Sequence, residues 1–577
     1  MTAGNVNIIC VPYNYLSLPS LDMAVLKACL TQKGIDSKVH HMDIAYALHI
    51  GGDTYLDLRD SLLGDAIFSA ILFPDNQDRV KAALSKSGVE DGLLDDLVKK
   101  TENFLEDYLE SKSFEFAPNS VAIFHLYSAQ LFPALCISKK IYERFGTRVW
   151  FSGYHCQGAC GDSLREIFPH IEKTFGTNIH RSIVSALEQC SLAGYVGTID
   201  DMPTPDYSDF FEVFESLPRK FKSAHIDHYW LQLEFSRGCW WDACSFCTLN
   251  CQHEQFENRN LEKIIEDYKT LASKHGTVQI LANEFNTVHG WKDYVSRLNE
   301  ELPGMKGSFD LCFKVSELQN EKDAAFLSEN DINILVGVES LSKDELKLLN
   351  KGCSVIEAIQ MLKYMERHGV KCFYNLMHSL PFETDQDLVE TERVIKFIIH
   401  LRPPFDVETF RLTYGSSIFK NPECFSVSTM GMRENVEGVL LPQSVHSQYV
   451  SFFMDFTTEK HSHSDTVQEW ENLIGKWSDA YYAFAKQRRP KKTSLLHMRS
   501  IGDILEICDA RYGDYRVQSL SGNEKCLYEF CDKIRTFEDI KKEFSDINSE
   551  ELMSMLKSFI NDKTMFEEDA SYLSLAI

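Results

Sequence analysis

The sequence predicts an α/β fold: an N-terminal doubly wound sheet, a partial (β/α)6 barrel, a helical segment and a small C-terminal winged-helix-like module. Three observations predict it. Over residues 1–200, and again over 225–425, short apolar runs alternate with helix-length segments, the pattern of parallel strands covered by helices. At 577 residues the chain exceeds what one core usually serves, so about three domains are expected. A content of 44% apolar and 12% aromatic residues is enough to fill them.

The elements follow in chain order. Val6–Pro12 reads as a strand, Leu21–Lys33 as a helix stopped at Gly34, and Ser37–Ile44 as a second strand. Residues 52–117 read as helical and mostly exposed. Strand Val121–Ser128, a helix to Arg144, a stop at Gly146 and strand Arg148–Gly153 restore the alternation. A glycine-rich dinucleotide fingerprint is missing. Residues 199–228, with Pro203, Pro205 and Pro218, form a connector. Six strand candidates then recur: Leu231–Ser236, Val278–Ala282, Phe309–Val315, Ile332–Val338, Lys371–Met377 and Val407–Leu412. A barrel built from them places its chemistry at the C-terminal strand ends. Residues 430–495 read as a helical linker region carrying Trp470 and Trp477 as packing residues. Residues 500–577 offer helices at Gly522–Cys531, Ile534–Phe544 and Ser549–Asp562 before a strand at Tyr572–Ala576.

The net charge of −26 disfavours nucleic acid as a partner, the basic run Lys486–Lys492 being the only candidate groove and more simply a linker. No run of ~20 apolar residues suggests a membrane span, and the first residues lack a signal-peptide core, so a cytoplasmic protein with reduced cysteines is expected. Most of the 17 cysteines are scattered in apolar runs. One cluster differs.

Residues 235–251 read FSRGCWWDACSFCTLNC, just after the first barrel strand. Cys239, Cys244 and Cys247 make C-x4-C-x2-C, and thiolates are the usual iron–sulfur ligands. Three ligands on a [4Fe–4S] cluster leave one iron open to chelate S-adenosylmethionine (SAM), whose reductive cleavage yields a hydrogen-abstracting radical. The alternative is a zinc site completed by Cys251 or His253, although structural zinc usually draws on two ligand pairs separated by a longer loop.

The loop resembles the radical SAM signature, with Phe246 before the last cysteine and a first gap one residue longer than usual. Together with FKVSEL around Lys314, VGVESLS at Gly337–Ser342, LKLLNKG at Leu346–Gly352, YNLMHSLPFET at Tyr374–Thr384 and FRLTYGSSIFKNP at Phe410–Pro422, it resembles the radical SAM maturases of ribosomally made, post-translationally modified peptides (RiPPs) that carry a cobalamin-type N-terminal domain. The resemblance covers about residues 5–425. It implies that Glu339 and Ser340 meet the ribose of SAM, that Lys314 approaches its carboxylate, and that Asn283 and Glu284 lie where its amino group binds. Cys312, on the face of Lys314, stands where the family often has Glu; it is a buried core thiol or a hydrogen donor to a substrate radical.

The same resemblance implies a cobalamin cofactor in the N-terminal sheet, without a D-x-H-x-x-G histidine. Two departures, Tyr154 in place of a glycine and GTNI at Gly176–Ile179, narrow the room for a corrin. The C-terminal module resembles precursor-peptide recognition elements, which take an extended leader by β-augmentation, or it is a helical cap. The expectation is therefore a radical SAM enzyme acting on a C–H position of a precursor peptide, fed by a reductant such as flavodoxin or ferredoxin. C-methylation follows if cobalamin binds, and epimerisation or another C–H modification if not. Small-molecule or tRNA modification and a zinc-stabilised binding protein are the remaining alternatives.

Overall fold

The computed structural model describes residues 5–577 except 60, 128–129, 189–196, 227, 254, 277–278, 284–289, 303–309, 460–462 and 488–493. Strands β1 (Val6–Cys10), β2 (Ser37–His41), β3 (Val121–Leu126), β4 (Arg148–Gly153) and β5 (Ile171–Phe175) form one parallel sheet in the order β2–β1–β3–β4–β5. β1 and β3 are buried along their whole length, as strands covered on both faces must be. The order reverses between β1 and β3, which opens a crevice beyond their carboxyl ends, where ligands bind in doubly wound sheets. Ser20 caps the helix Leu21–Gln32 that follows β1, its hydroxyl accepting from the Met23 amide at 3.4 Å.

Two features differ from the sequence reading. The region expected to be helical and mostly exposed is helical, but Leu62–Leu72 (LLGDAIFSAIL) is core, with Ala66, Ile67 and Phe68 fully buried between helices Leu93–Ser111 and Leu131–Phe145. A helix apolar around its circumference cannot lie on a surface. β5 was not anticipated because it is a short edge strand, IEKTF, without a continuous apolar run.

All six barrel strands form: β6 (Trp230–Glu234), then a two-residue pair β7 (Ser236–Arg237) and β8 (Glu257–Asn258), β9 (Gln279–Asn283), β10 (Asp310–Lys314), β11 (Asn333–Gly337), a fifth strand split into β12 (Cys372–Phe373) and β13 (Asn375–His378), and β14 (Asp406–Thr409). Their ladders, β6–β9, β10–β11–β12 and β13–β14, are parallel, with Glu339 bridged to Leu376. Leu231, Ile280, Leu311, Ile334 and Leu376 fill the layer between the strands and the outer helices.

Beyond the barrel, β15 (Leu412–Thr413), β16 (Val427–Met432) and β17 (Phe453–Thr458) form an antiparallel sheet where a helical region was expected. The runs VSTMGM and FMDFTT, with Val, Phe and Thr at six of their twelve positions, are suited to strands rather than helix. Only His463–Gln487 is a long helix there; Trp470 and Trp477 are fully buried on it, and the Trp477 indole donates to the Leu401 carbonyl at 3.0 Å. The basic run Lys486–Lys492 lies largely outside the described residues.

The C-terminal part begins with an antiparallel sheet absent from the sequence reading, β18 (Leu496–Ile501), β19 (Ile504–Asp509) and β20 (Arg516–Leu520). Helix Gly522–Phe530, β21 (Arg535–Thr536), helices Phe537–Glu543 and Ser549–Asn561, β22 (Met565–Glu568) and β23 (Ser571–Ser574) then follow in winged-helix order. This part is docked on the barrel's helices. Lys363, with no exposed side-chain surface, donates to the Asp532 carboxylate at 2.7 Å and to the Ser574 carbonyl at 2.6 Å. Arg367 makes a fork on the same carboxylate, and Arg511 donates back to the Phe397 carbonyl. Among the described residues no helix is long and apolar enough to cross a membrane.

Candidate active site at the barrel mouth

The cysteine loop leaves β6 through a turn that needs glycine. Gly238 has φ +75°, and a Cβ there would meet the Asn250 Oδ1 at 2.9 Å and the Gln255 carbonyl at 3.0 Å. Asn250 braces the loop from below: its Oδ1 accepts from the Cys239 amide at 2.7 Å and its Nδ2 donates to the Cys239 carbonyl at 2.8 Å. On the other side Ser245 donates to the carbonyls of Leu348 and Leu349, and Ile418 donates to the Ser245 carbonyl. Trp241 lies across Gly352, where a Cβ would collide with the indole at 2.4 Å. The three thiols of Cys239, Cys244 and Cys247 therefore hang on a loop held at both ends.

Burial raises the Cys244 thiol, whose ionisation is helped by Lys351 and Lys314 nearby. Among the described residues no three His, Cys, Asp or Glu side chains are close enough to hold one metal ion. The three thiols nonetheless perturb one another's ionisation. A single zinc draws four ligands to about 2.0–2.3 Å; thiols spaced more widely suit a multi-iron cluster, and they could hold one. Cys251 is set apart, its thiol directed at the Gly415 carbonyl at 3.5 Å.

Two lysines face this loop. Lys351 is 6% exposed, pairs with Glu339 at 3.1 Å and lies 5.7 Å from the Phe246 ring centre. Burial opposes its charge, yet the Glu339 carboxylate raises its pKa overall. Glu339 itself has φ +68°, an uncommon backbone for a non-glycine residue, held by its amide on the Asn375 carbonyl and its own carbonyl under the Met377 amide. Lys314 sits 3.6 Å over the Trp241 ring and donates to the Lys351 carbonyl at 2.6 Å. Burial lowers its pKa, and Lys351 lowers it further.

Between the crevice of the N-terminal sheet and the first barrel strand lies a cavity of about 370 Å³. Its sheet side presents Asn14, Asp22, His125, Tyr127 and His180; its barrel side Gln232, Glu234, Arg237 and His253. Asp22, in the first turn of the helix after β1, accepts from Tyr127 at 2.8 Å and lies 3.3 and 3.4 Å from His125 and His180. Burial opposes its charge, but His125 and its other partners hold its carboxyl well below the usual range. Burial pushes His180 down to about 4. Glu234 and Arg237 form a two-pronged pair at 2.7 Å in each arm, both buried. Tyr154 borders this cavity with its ring stacked on Phe452, 5.5 Å between centres.

Residues 233–395 match the Radical SAM superfamily. The barrel is a radical SAM domain. A curated relative, an uncharacterised methyltransferase of Pyrococcus horikoshii, is 24% identical over 206 residues, 35% of this chain and 42% of that protein; the chain thus matches less than half the relative's length. Among solved structures, the cobalamin-dependent SAM radical enzyme OxsB with aqua-cobalamin and SAM bound superposes with a TM-score of 0.52 at 14% identity, over 85% of this chain and 69% of that one. The radical SAM methyltransferase TsrM from Kitasatospora setae, with cobalamin and a [4Fe–4S] cluster bound, gives 0.51 at 12% identity, over 82% and 91%. At such identities the likeness is one of fold.

The radical SAM domain brings Cys239, Cys244, Cys247, Phe246, Lys314 and Glu339 to one mouth. Ser340 is turned inward: fully buried, its hydroxyl binds Glu345 and accepts from the Ser342 amide. Asn283 ends β9 opposite Glu234, with only its backbone described, and Glu284 lies outside the described residues. Cys312 is half-buried in β10 opposite Leu335, which is 47% exposed. Sequence reasoning missed Lys351, Asn250 and the Asp22, Glu234 and Arg237 groups. Lys351 stood inside a quoted motif, and Arg237 immediately precedes the cysteine loop's glycine, so position was a signal for both.

Proposed function

We propose that this protein is a radical SAM enzyme in which Cys239, Cys244 and Cys247 hold a [4Fe–4S] cluster, the adjoining cavity takes cobalamin, and an unactivated carbon of a ribosomally made precursor peptide is methylated. The carrying observation is the cavity itself: it joins the crevice of a doubly wound sheet to the strand ends of the barrel beside the cysteine loop. Its lining is polar, with Asn14, Ser20, Tyr127, Asn178 and Gln232 in it, and Asn14, Ser20, Tyr127 and Gln232 are held in place by bonds to Asp43, Gln130, Met23, Asp22 and Pro19. When bound, the cluster and SAM supply a hydrogen-abstracting radical, and cobalamin carries the methyl group.

The chain's own work is positional. Glu339, fixed by Lys351, offers a carboxylate to the hydroxyls of SAM, and Phe246 closes the cluster loop beneath Lys351. Lys314 would have to leave the Trp241 ring to reach a SAM carboxylate, so Lys351 is the cation nearer Phe246. The Glu234–Arg237 pair holds the wall between the two cofactors without net charge. For the peptide, β20 is an edge of its sheet, with Val517 45% exposed and Tyr515 just before it 61% exposed, and an extended chain could pair there.

Epimerisation is the second reading, favoured by the Cys312 side chain opposite the exposed Leu335, from which a thiol can return hydrogen to a substrate radical. Anaerobic reconstitution with iron, sulfide and hydroxocobalamin, followed by cobalt analysis and mass spectrometry of a co-expressed precursor, separates them. Near-stoichiometric cobalt and a gain of one methyl support methylation. No retained cobalt, with solvent deuterium entering at Cα, overturns it in favour of epimerisation.

A further inference from the structure

The inner wall of the barrel carries a carboxylate with no part in holding the cluster or SAM. In β10–β12, Leu311, Ile334 and Cys372 are buried against the outer helices. Their chain neighbours Cys312, Leu335 and Phe373 point the other way, into the lumen, and share one register across the three strands. Leu335 is 47% exposed although Ile334 and Val336 on either side of it are buried, so the lumen presents an open apolar wall at this level.

Polar residues continue the wall on β13 and β14. Tyr374 and Leu376 are fully buried on the helix side, which leaves Asn375 facing the lumen. Val407 pairs with Leu376, so Glu408 lies on the same side as Asn375. The Asn375 Nδ2 donates to the Glu408 Oε1 at 2.7 Å and draws that carboxylate toward the level of Phe373, since same-face residues stand only ~6.6 Å apart along a strand. Glu408 is exposed, and among the described residues no Lys, Arg or His pairs with it. Lys314, the cation on the face of Cys312, is held by the Trp241 ring and the Lys351 carbonyl.

We infer that Glu408 selects the substrate side chain, a lysine or arginine whose aliphatic stem lies on Leu335 and Phe373 while its cationic head pairs with this carboxylate. Charge requires the cation. Asn375 already supplies a neutral donor, and closing the lumen round a neutral group would leave the carboxylate desolvated and unpaired, which is strongly unfavourable. The apolar wall requires the stem, because a short polar group would leave Leu335 and Phe373 in water. This role rests on the proposed reaction at the barrel mouth, and on no corrin.

The test is calorimetric titration of the full-length protein at low ionic strength with the Nα-acetyl amides of lysine, arginine, norleucine and tryptophan. Norleucine supplies the stem without the charge, and tryptophan a neutral N–H donor. Wild type should bind the two cationic probes about tenfold or more tighter than the neutral ones, the effect of a charge-assisted hydrogen bond. Glu408→Gln, at an exposed position and able to keep the Asn375 bond, should erase that preference. Leu335→Ala should weaken the cationic probes while retaining their lead over tryptophan. Equal binding of cationic and neutral probes by the wild type, binding of none, or a preference that survives Glu408→Gln overturns the inference. Such a result leaves methyl transfer and cobalt retention untouched. Failure of those two refutes the proposed reaction, while the titration still decides what Glu408 recognises.

Discussion

Asp65 lies in the first turn of the buried helix Leu62–Leu72, with Arg433 and Glu437 near it. Burial pushes its carboxyl up to about 7, with Glu437 reinforcing and Arg433 opposing the shift. A raised folded pKa means that the native state holds more protons than the unfolded chain between pH ~3.9 and 7, so stability falls as pH rises across that window. The shift corresponds to roughly 4 kcal/mol. Denaturation at pH 5 and pH 8 should therefore find the wild type less stable at pH 8, and Asp65→Asn should flatten the dependence; a variant with the wild-type slope would refute the assignment. The Glu339–Lys351 pair yields a second expectation. Glu339→Gln leaves the buried Lys351 ammonium unpaired, which typically costs 3–5 kcal/mol, and weakens SAM binding, whereas Glu339→Gln/Lys351→Met restores stability but not SAM affinity. Equilibrium denaturation and SAM titration of the cluster-loaded variants read these two effects separately. At this scale the sequence was informative about residue type and poor about partnership. Lys314 and Ser340 stood out by position, yet the indole of Trp241 and the carboxyl of Glu345 already engage them, and such partners come from distant segments.

Among the elements, the loop between β7 and β8 depends on Asn250, which satisfies both backbone groups of Cys239. Asn250→Ala should keep the fold but lower iron retention after reconstitution severalfold, and Gly238→Ala should do the same, because its Cβ meets Asn250 and its φ is positive. Iron and sulfide analysis beside a far-ultraviolet spectrum checks both; full cluster loading in either would show that the brace is dispensable. Elements were legible in proportion to their burial. The inner strands β1, β3 and β4, buried on both faces, announced themselves as continuous runs. β5, β16, β17 and the sheet β18–β20 were not seen, because half-exposed antiparallel and edge strands carry polar residues at alternate positions, and in a long chain such alternation is easily taken for linker.

For the molecule as a whole, the order of its parts could be read from the alternation of strands and helices, but their mutual packing could not. Nothing in the local pattern of Lys363 signals that it is the fully buried contact on which the C-terminal part sits. Asp532, shared by Lys363 and Arg367, has its carboxyl held well below the usual range, burial opposing and the two cations prevailing. A depressed carboxyl contributes stability that is present above pH ~4 and lost as pH falls through its folded value. Asp532→Ala should cost about 3–5 kcal/mol at pH 7 and lose the wild type's sensitivity in the acid range, as followed by urea denaturation. An unchanged midpoint would mean that the docking surface holds without its charges.

The buried Lys363 has a calorimetric consequence. Among the described residues its ammonium finds its acceptors across the junction, in Asp532 and Ser574. Separating the two parts while each stays folded would give up these bonds and expose the apolar surface buried around them, so a half-melted species is disfavoured. A scanning calorimeter should accordingly record barrel and C-terminal part as one endotherm, with matching calorimetric and van't Hoff enthalpies across both.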